Sequence, residues 1–171
     1  MVSKTEQCLI IIKPDGLVKS ITGNIISALS ETKLKIVGAK IVSVSRELAE
    51  KHYAELKKKK PKVFANTISY ITGAFHTNRV LALVYSGENA ITKVREIVGA
   101  TNPEEANPIS IRGKYGRINS KTGVLENVIH ASDSKESAER EIKMWFKPEE
   151  LVEIIFPVKK QKKQQEVLEW E

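Results

Sequence analysis

The chain has 171 residues, enough for one domain of ordinary size whose core needs no disulfide or structural metal. Its 28 lysines and arginines against 21 acidic residues leave a formal charge of +7, which favours anionic partners such as nucleotides, phosphates or nucleic acid without choosing among them. No apolar stretch approaches the roughly 18 residues that span a bilayer, Met1 to Glu6 lack the apolar core of a secretory signal, and the single cysteine, Cys8, excludes an intramolecular disulfide.

These exclusions lead to the expectation of a soluble, cytoplasmic protein with no membrane partner. Much of the positive excess is local, in Lys57 to Lys60 with Lys62, and in Lys159, Lys160, Lys162 and Lys163. Both clusters read first as solvated surface and tail, and only second as a nucleic-acid site.

Residues 7–12 form a continuous apolar run, the pattern of a buried central strand, and Lys13-Pro-Asp-Gly16 closes it with turn-forming residues, placing Lys13 where the strand emerges. Thr22 is placed to cap a helix whose Ile25, Ile26 and Leu29 share a face, and Leu34 to Val44 then reads as a long second strand. Ser45 opens the next helix, where Leu48, Ala49, His52, Tyr53 and Leu56 fall on one stripe until the lysine run and Pro61 break the pattern. Residues 63–71 add a short helix. Arg79 to Tyr85 is a mostly apolar strand, after which Ile91, Val94, Ile97 and Val98 mark a helix closed by Gly99.

From Ala100 to about Glu126 no periodicity holds, and the prolines and glycines there indicate a long loop of the kind that often carries function. Asn127 to Ala131 resumes as a strand. Asp133-Ser-Lys-Glu136 has the spacing of a capping box before a helix with Ala138, Ile142 and Trp145, and Pro148 suits the first turn of a short helix from Lys147 to Val152. From about residue 157 the chain reads as a polar tail. Strands alternating with helices, without an internal repeat, describe a single domain over 1–171 built as an α/β or α+β sandwich.

Three features bear chemistry. Lys13-Pro-Asp-Gly16 taken alone is a common turn. The segment Asn127-Val-Ile-His-Ala-Ser-Asp-Ser134 is more specific, because it ends a strand on His130 and at once begins a helix, whose N-terminal amides can hold an anion carried by the ring. An imidazole ordinarily titrates near about 6.5, which leaves a nitrogen lone pair free for nucleophilic attack at neutral pH. Alone, the segment also suits a histidine that only hydrogen-bonds a helix cap. Finally, Gly99-Ala-Thr-Asn-Pro103 and Ile111-Arg-Gly113, with Arg95 on the preceding helix, offer a hydroxyl and two guanidiniums suited to phosphate oxygens and to the charge that develops in phosphoryl transfer.

Read in order, these segments resemble the nucleoside diphosphate kinases. The likeness runs through Phe156 and includes Ile12-Lys-Pro-Asp-Gly16, His52-Tyr53, Gly99 to Pro103, Ile111 to Gly113, Asn127 to Ser134 and Trp145-Phe-Lys-Pro-Glu-Glu-Leu151; separated motifs in the right order are far more specific than any one of them. The resemblance implies a ferredoxin-like α+β sandwich, with a four-stranded antiparallel sheet covered by helices, and a homo-oligomer, often a hexamer. It also implies a ping-pong cycle that maintains NTP and dNTP pools: a nucleoside triphosphate, typically ATP, phosphorylates a histidine, leaves, and is replaced at the same site by the acceptor diphosphate.

By the same resemblance His130 is the phosphorylated nucleophile, Glu141 and Ser132 orient or polarise its ring, and Asp133 supports the helix start. Lys13, Tyr53, Arg95, Thr101, Arg112 and Asn127 match nucleotide-binding positions, with Lys13 and Asn127 toward the sugar hydroxyls and Thr101 and the two arginines toward the phosphates. No metal-ligating protein residue is implied. Mg²⁺ arrives on the nucleotide phosphates and keeps water ligands, in keeping with the lack of a dense carboxylate cluster in these motifs. A site that stacks the base and reads few of its edges is expected to be permissive among nucleobases.

The chain departs from the family pattern in several places. Family members usually clamp the base on a phenylalanine soon after the His-Tyr helix; here Lys60-Pro-Lys-Val-Phe64 replaces that arrangement, and Phe64 takes the stacking role. Gly73 to Asn78 and Ile118 to Glu126 look like added length, placed to alter oligomer contacts or site access. Lys114 stands where an aspartate commonly follows the Arg-Gly pair, reversing a charge near the presumed phosphate end. Glu166-Val-Leu-Glu-Trp-Glu171 is similar to an acidic, aromatic C-terminus that reaches a neighbouring subunit. Two rival readings are a nucleotide-binding scaffold without catalysis, opposed by His130, Glu141, Arg95 and Arg112, and a nucleic-acid binder using the lysine clusters, opposed by poor aromatic interleaving.

Overall fold

The computed structural model describes residues 5–160. Strand β1 (Thr5–Ile12) lies in the interior of the sheet because Cys8 to Ile12 are apolar without alternation, and all five are buried. It pairs antiparallel with β3 (Arg79–Glu88) on one side and with β6 (Ile129–Ala131) on the other, while β2 (Lys35–Ser43) pairs antiparallel with β3. The order β2-β3-β1-β6 is the expected four-stranded antiparallel sheet.

Helices cover both faces. Cys8, Ile10 and Ile12 enter a core with Ile25 and Leu29 of α2 (Thr22–Ser30) and with Val94 and Val98 of α6 (Ala90–Val98). Leu9 and Ile11 enter the opposite core with Ala49 of α3 (Arg46–His52), Ile68 and Ile71 of α5 (Pro61–Ile71), and Ile142 and Trp145 of α8 (Lys135–Trp145). Burying each leucine or isoleucine in this run contributes about 1.5–3 kcal/mol relative to exposure. The two-residue period of β6 sends Ile129 and Ala131 into the first core. His130, opposite Ile11 in the register, therefore faces α3 and α8.

Local structure corrects several expectations. Pro14 to Val18 forms a short helix, α1, instead of a turn: Pro14 occupies the first helical turn, where its missing N–H removes no bond, and Asp15 favours the positive helix end. Thr22 is the first residue of α2, not its cap; Ile21 holds that position without a side-chain bond. Ser45 does cap α3, accepting from the Leu48 amide. The stripe that begins at Leu48 is divided at Tyr53, beyond which α4 (Ala54–Lys59) restarts, and Pro61 opens α5.

The span from Ala100 to Glu126 is not structureless. It holds a 3-10 turn at Pro103–Glu105, the helix α7 (Ile111–Tyr115) capped by Ser110, and a hairpin of β4 (Arg117–Ile118) and β5 (Leu125–Glu126). Elements of two to five residues are too short to show a period. Ser134, whose hydroxyl accepts from the Ser137 amide, caps α8, so Asp133 and Glu136 do not make the capping box. After Pro148 there is one 3-10 turn, Pro148–Glu150, in place of the longer helix. Lys162, Lys163 and the terminal Glu166 to Glu171 lie outside the described residues. Among the described residues, no helix is long and apolar enough to cross a membrane.

Candidate active site

His130 is held by the junction of β6 and α8. Its Nε2 lies 2.9 Å from the Glu141 carboxylate, and the Ser132 hydroxyl donates to the same oxygen at 2.7 Å. Ser132 also accepts from the Leu9 amide at 3.1 Å, so it touches Glu141 and the sheet, and reaches the ring only through Glu141. Glu141 belongs to the buried stripe of α8, with Ala138, Ile142 and Trp145. Burial pushes its carboxyl up, but the hydrogen bond and charge of His130, with help from His52 and Ser132, outweigh that and hold it below its ordinary value. An ionised carboxylate only accepts, so Nε2 carries the ring proton and Nδ1 keeps the lone pair. Nδ1 makes no hydrogen bond among the described residues, and the side chain is still 19% exposed.

His52 packs edge-on against this ring, with centroids 4.5 Å apart. Trp145 Nε1–H donates to His52 Nδ1 at 3.2 Å, which places the His52 proton on Nε2. Burial, then the neighbouring His130, brings the His52 pKa down to about 3, so the ring is neutral. One ligand atom from each of His52, His130 and Glu141 lie within 4.8 Å of one another, as in a three-ligand metal group. The hydrogen bonds oppose that use. Trp145 occupies the only free lone pair of His52, and Glu141 already engages the protonated nitrogen of His130.

The approach to β6 is clamped from the end of β1. Lys13 N–H donates to the Val128 carbonyl at 2.8 Å, and Val128 N–H donates to Asp15 at 3.2 Å. Tyr70 donates its hydroxyl to the other oxygen of the fully buried Asp15. These bonds hold Val128 at φ +57°, a left-handed conformation that β-branched residues rarely adopt. Gly16 is needed beside it, because a Cβ there would press on Ile12 and on the Val128 carbonyl. The adjoining Asn127 accepts from Lys13 Nζ at 2.7 Å and donates to the Thr101 carbonyl at 2.8 Å.

A cavity of about 290 Å³ opens beside Lys13, Tyr53, Thr101 and Asn127. Leu56, Val63, Thr67 and Tyr70 line it from α4 and α5, and Gly123, Val124 and Leu125 line it from the hairpin. The buried Tyr53 hydroxyl and Arg112 Nε have no partner among the described residues. Arg112 spends its other nitrogens on the Gly99 and Ile129 carbonyls, each at 2.9 Å. Burial, then the charge of Arg95, lowers its pKa to about 10, while burial, then Arg112, lowers that of Lys13 to about 8. No carboxylate forms an ion pair with Arg95 or Arg112 among the described residues. Cations that crowd one another, with spare donors between them, make a site for an anion.

The structure thus gathers Lys13, Tyr53, Thr101 and Asn127 at one cavity, with Arg112 and Arg95 near one another, and places Glu141 and Ser132 behind His130. Phe64 is the exception. It is buried in the second core, with the Lys57 ammonium 5.5 Å from its ring centroid, and does not line the cavity. Residues 63, 66, 67 and 70 share the face of α5 that does, and the next position, 64, is turned about 100° away. On this helix it is Val63, and not Phe64, that faces the cavity. Lys114 lines a groove against Gly23, Ser27 and Glu31 of the α2 region, and is not part of the cavity beside Thr101. The roles of Asp15, Tyr70 and Val124 had no sequence signal, since each depends on a distant partner.

The family model described as nucleoside diphosphate kinase matches residues 6–151. A nucleoside diphosphate kinase of Pyrococcus horikoshii is 49% identical over 151 residues, covering 88% of this chain and 91% of the relative. One from Thermococcus kodakarensis is 51% identical over 148 residues, covering 86% and 80%. Among solved structures, the Borrelia burgdorferi nucleoside-diphosphate kinase with bound vanadate and ADP, a transition-state mimic, superposes with a TM-score of 0.78 at 32% identity, covering 91% of this chain and 93% of that one. The Aquifex aeolicus enzyme gives 0.75 at 35% identity, covering 87% and 100%.

Proposed function

This chain belongs to the nucleoside diphosphate kinase family, and we propose that it transfers the γ-phosphoryl group of a nucleoside triphosphate, typically ATP, to a nucleoside diphosphate by way of phosphorylated His130. The observation that carries this reading is the locked ring: Glu141 engages Nε2, so the lone pair of Nδ1 is the nucleophile. The same atom releases the phosphoryl group to the next diphosphate bound in the site. Nδ1 attacks the terminal phosphorus as the bond to the bridging oxygen breaks, the nucleoside diphosphate leaves with that electron pair, and the acceptor's terminal oxygen later reverses the exchange. Glu141, with its charge supported by Ser132, stabilises the positive charge that the ring gains on phosphorylation.

The cavity takes the nucleotide. Arg95, Arg112 and Thr101 meet the phosphates, Lys13 and Asn127 meet the sugar hydroxyls, and the unpartnered Tyr53 hydroxyl supplies a donor. The base lies against the aliphatic Val63 and Val124, which read little of its edge, so broad base specificity follows. Mg²⁺ bound to the phosphates would neutralise part of their charge. The carboxylates near the cavity are committed, Asp15 to Val128 and Tyr70 and Glu141 to His130 and Ser132, so the ion travels with the nucleotide.

The domain extends over 1–171 with a polar tail from about 157, and the cytoplasm suits its one thiol, Cys8, whose burial raises its pKa to about 12. β2 has an unpaired edge among the described residues and shows Ile36 and Ile41 to solvent, which supports a homo-oligomer, with a hexamer favoured. Nucleic-acid binding through the lysine clusters is secondary. The deciding experiment exposes wild-type and His130→Ala protein to Mg²⁺ and terminally labelled ATP, removes nucleotide, and offers GDP. Acid-labile label that chases into GTP only in the wild type is expected; a wild type that binds nucleotide but takes no label refutes the enzyme.

A further inference from the structure

The segments Gly73 to Asn78 and Ile118 to Glu126, together with Arg117, meet in space at a single carboxylate. Glu126 is 1% exposed. One of its oxygens accepts from His76 Nε2 at 2.9 Å and Asn119 Nδ2 at 2.8 Å, and the other accepts from Arg117 Nε at 2.6 Å. Lys19, at the end of α1, brings its ammonium to 3.9 Å, a second full positive charge beside that of Arg117. Burial alone would raise the carboxyl's pKa, but the bonds from Asn119, Arg117 and His76 bring it down to about 2.

The hairpin needs such an anchor. Its strands are two residues each, and a hairpin that small is not stable in water by itself. Asn119 shapes the tip: its side-chain oxygen accepts from the Lys121 and Thr122 amides while its amide nitrogen binds Glu126. Between those two residues, Gly123, Val124 and Leu125 form one wall of the cavity. His76 also stacks edge-on against Tyr70 of the same cavity, with centroids 6.3 Å apart, so the carboxylate ties the hairpin to the helix side. Immediately after it comes Asn127, bound to Lys13 and Thr101.

We propose that Glu126 is a positioning residue for the nucleoside half of the substrate: by drawing Arg117, Asn119 and His76 onto one buried carboxylate, it holds the 117–126 hairpin as a fixed wall of the cavity. This rests on the cavity being the nucleotide site. Without the carboxylate the hairpin loosens, and binding must then order it at the expense of affinity. The chemistry at His130 is untouched, because Glu126 makes no contact with His130, Glu141 or Ser132.

The test is Glu126→Gln, which keeps the shape but offers an amide donor to groups that are themselves donors, alongside an Arg117→Met, Asn119→Ala double variant that spares the buried residue. Each is assayed for KM and kcat with GDP as acceptor. Each is also assayed for phosphohistidine formation from phosphoramidate, a small phosphoryl donor with no nucleoside. The KM for GDP is expected to rise about tenfold in both variants, with kcat and phosphoramidate labelling within about twofold of wild type. An unchanged KM in both variants overturns the proposal. So does a parallel loss of phosphoramidate labelling, which would make Glu126 a general structural support. If Glu126→Gln does not fold, the double variant decides by the same criteria. A wild type that takes label from neither ATP nor phosphoramidate overturns the kinase reading itself, which distinguishes that failure from this one.

Discussion

Asp15→Ala probes the clamp that leads into the histidine strand. The substitution strips the acceptor from two buried donors, the Val128 amide and the Tyr70 hydroxyl. A buried donor left unpaired costs about 1–3 kcal/mol, so together the two cost about 2–6 kcal/mol. The loss also frees Val128 to leave φ +57°, where a β-branched residue is strained by roughly 1–2 kcal/mol. That relaxation displaces Asn127 on one side and β6 on the other. For a chain of this length 1 kcal/mol moves the thermal midpoint by about 2–4 °C, so a fall on the order of 10 °C is expected. Asp15→Asn, which keeps one acceptor, should lose about half as much. The assay is thermal unfolding followed by circular dichroism, at fixed protein concentration and without nucleotide, because ligand and subunit association both shift the midpoint. A parallel measurement of ATP-to-GDP transfer should show a loss of rate. A midpoint within about 2 °C of wild type, with transfer intact, would refute the clamp.

Two further outcomes follow from the site's electrostatics. Glu141→Gln keeps the shape but removes a charge-assisted bond of about 1.5–3 kcal/mol, so rapid-quench labelling of His130 should slow by about 10–100-fold with little change in nucleotide KM; a rate close to wild type would contradict the proposed support. With its pKa lowered to about 8 by burial and Arg112, Lys13 loses its charge in the free protein as pH rises through that value, so ADP affinity should weaken by up to about one log unit per pH unit above it, and Lys13→Met should flatten the profile. The unfolded lysine titrates near its ordinary 10.5, so between about 8 and 10.5 the unfolded chain holds the extra proton, and this residue makes the fold more stable as pH rises across that window. Urea midpoints of wild type and Lys13→Met that stay parallel through it would contradict this account.

The sequence by itself showed the succession of strands and helices in outline, and the family resemblance supplied the sheet and the candidate site residues. The unbroken apolar run from Cys8 to Ile12 has the pattern of a strand buried on both faces, and the strand-to-helix junction placed His130. Glu141 came from the family resemblance, and α8 sets it on the buried stripe of Ala138, Ile142 and Trp145. Signals of this kind are local, since a period of 2 or 3.6 residues shows which side chains share a face. The phase of α5 was harder. Phe64 is the natural aromatic in the sequence, but the face that meets the cavity carries Val63, Thr67 and Tyr70. The Asp15 clamp joins residues 55 and 113 positions apart, and Glu126 gathers His76 from 50 positions away. Nothing in a local window marks such partners. Which faces meet, and which buried carboxylate receives which donor, is settled only when the sheet and its helices pack, because a buried charge takes whatever donors the packed chain brings to it.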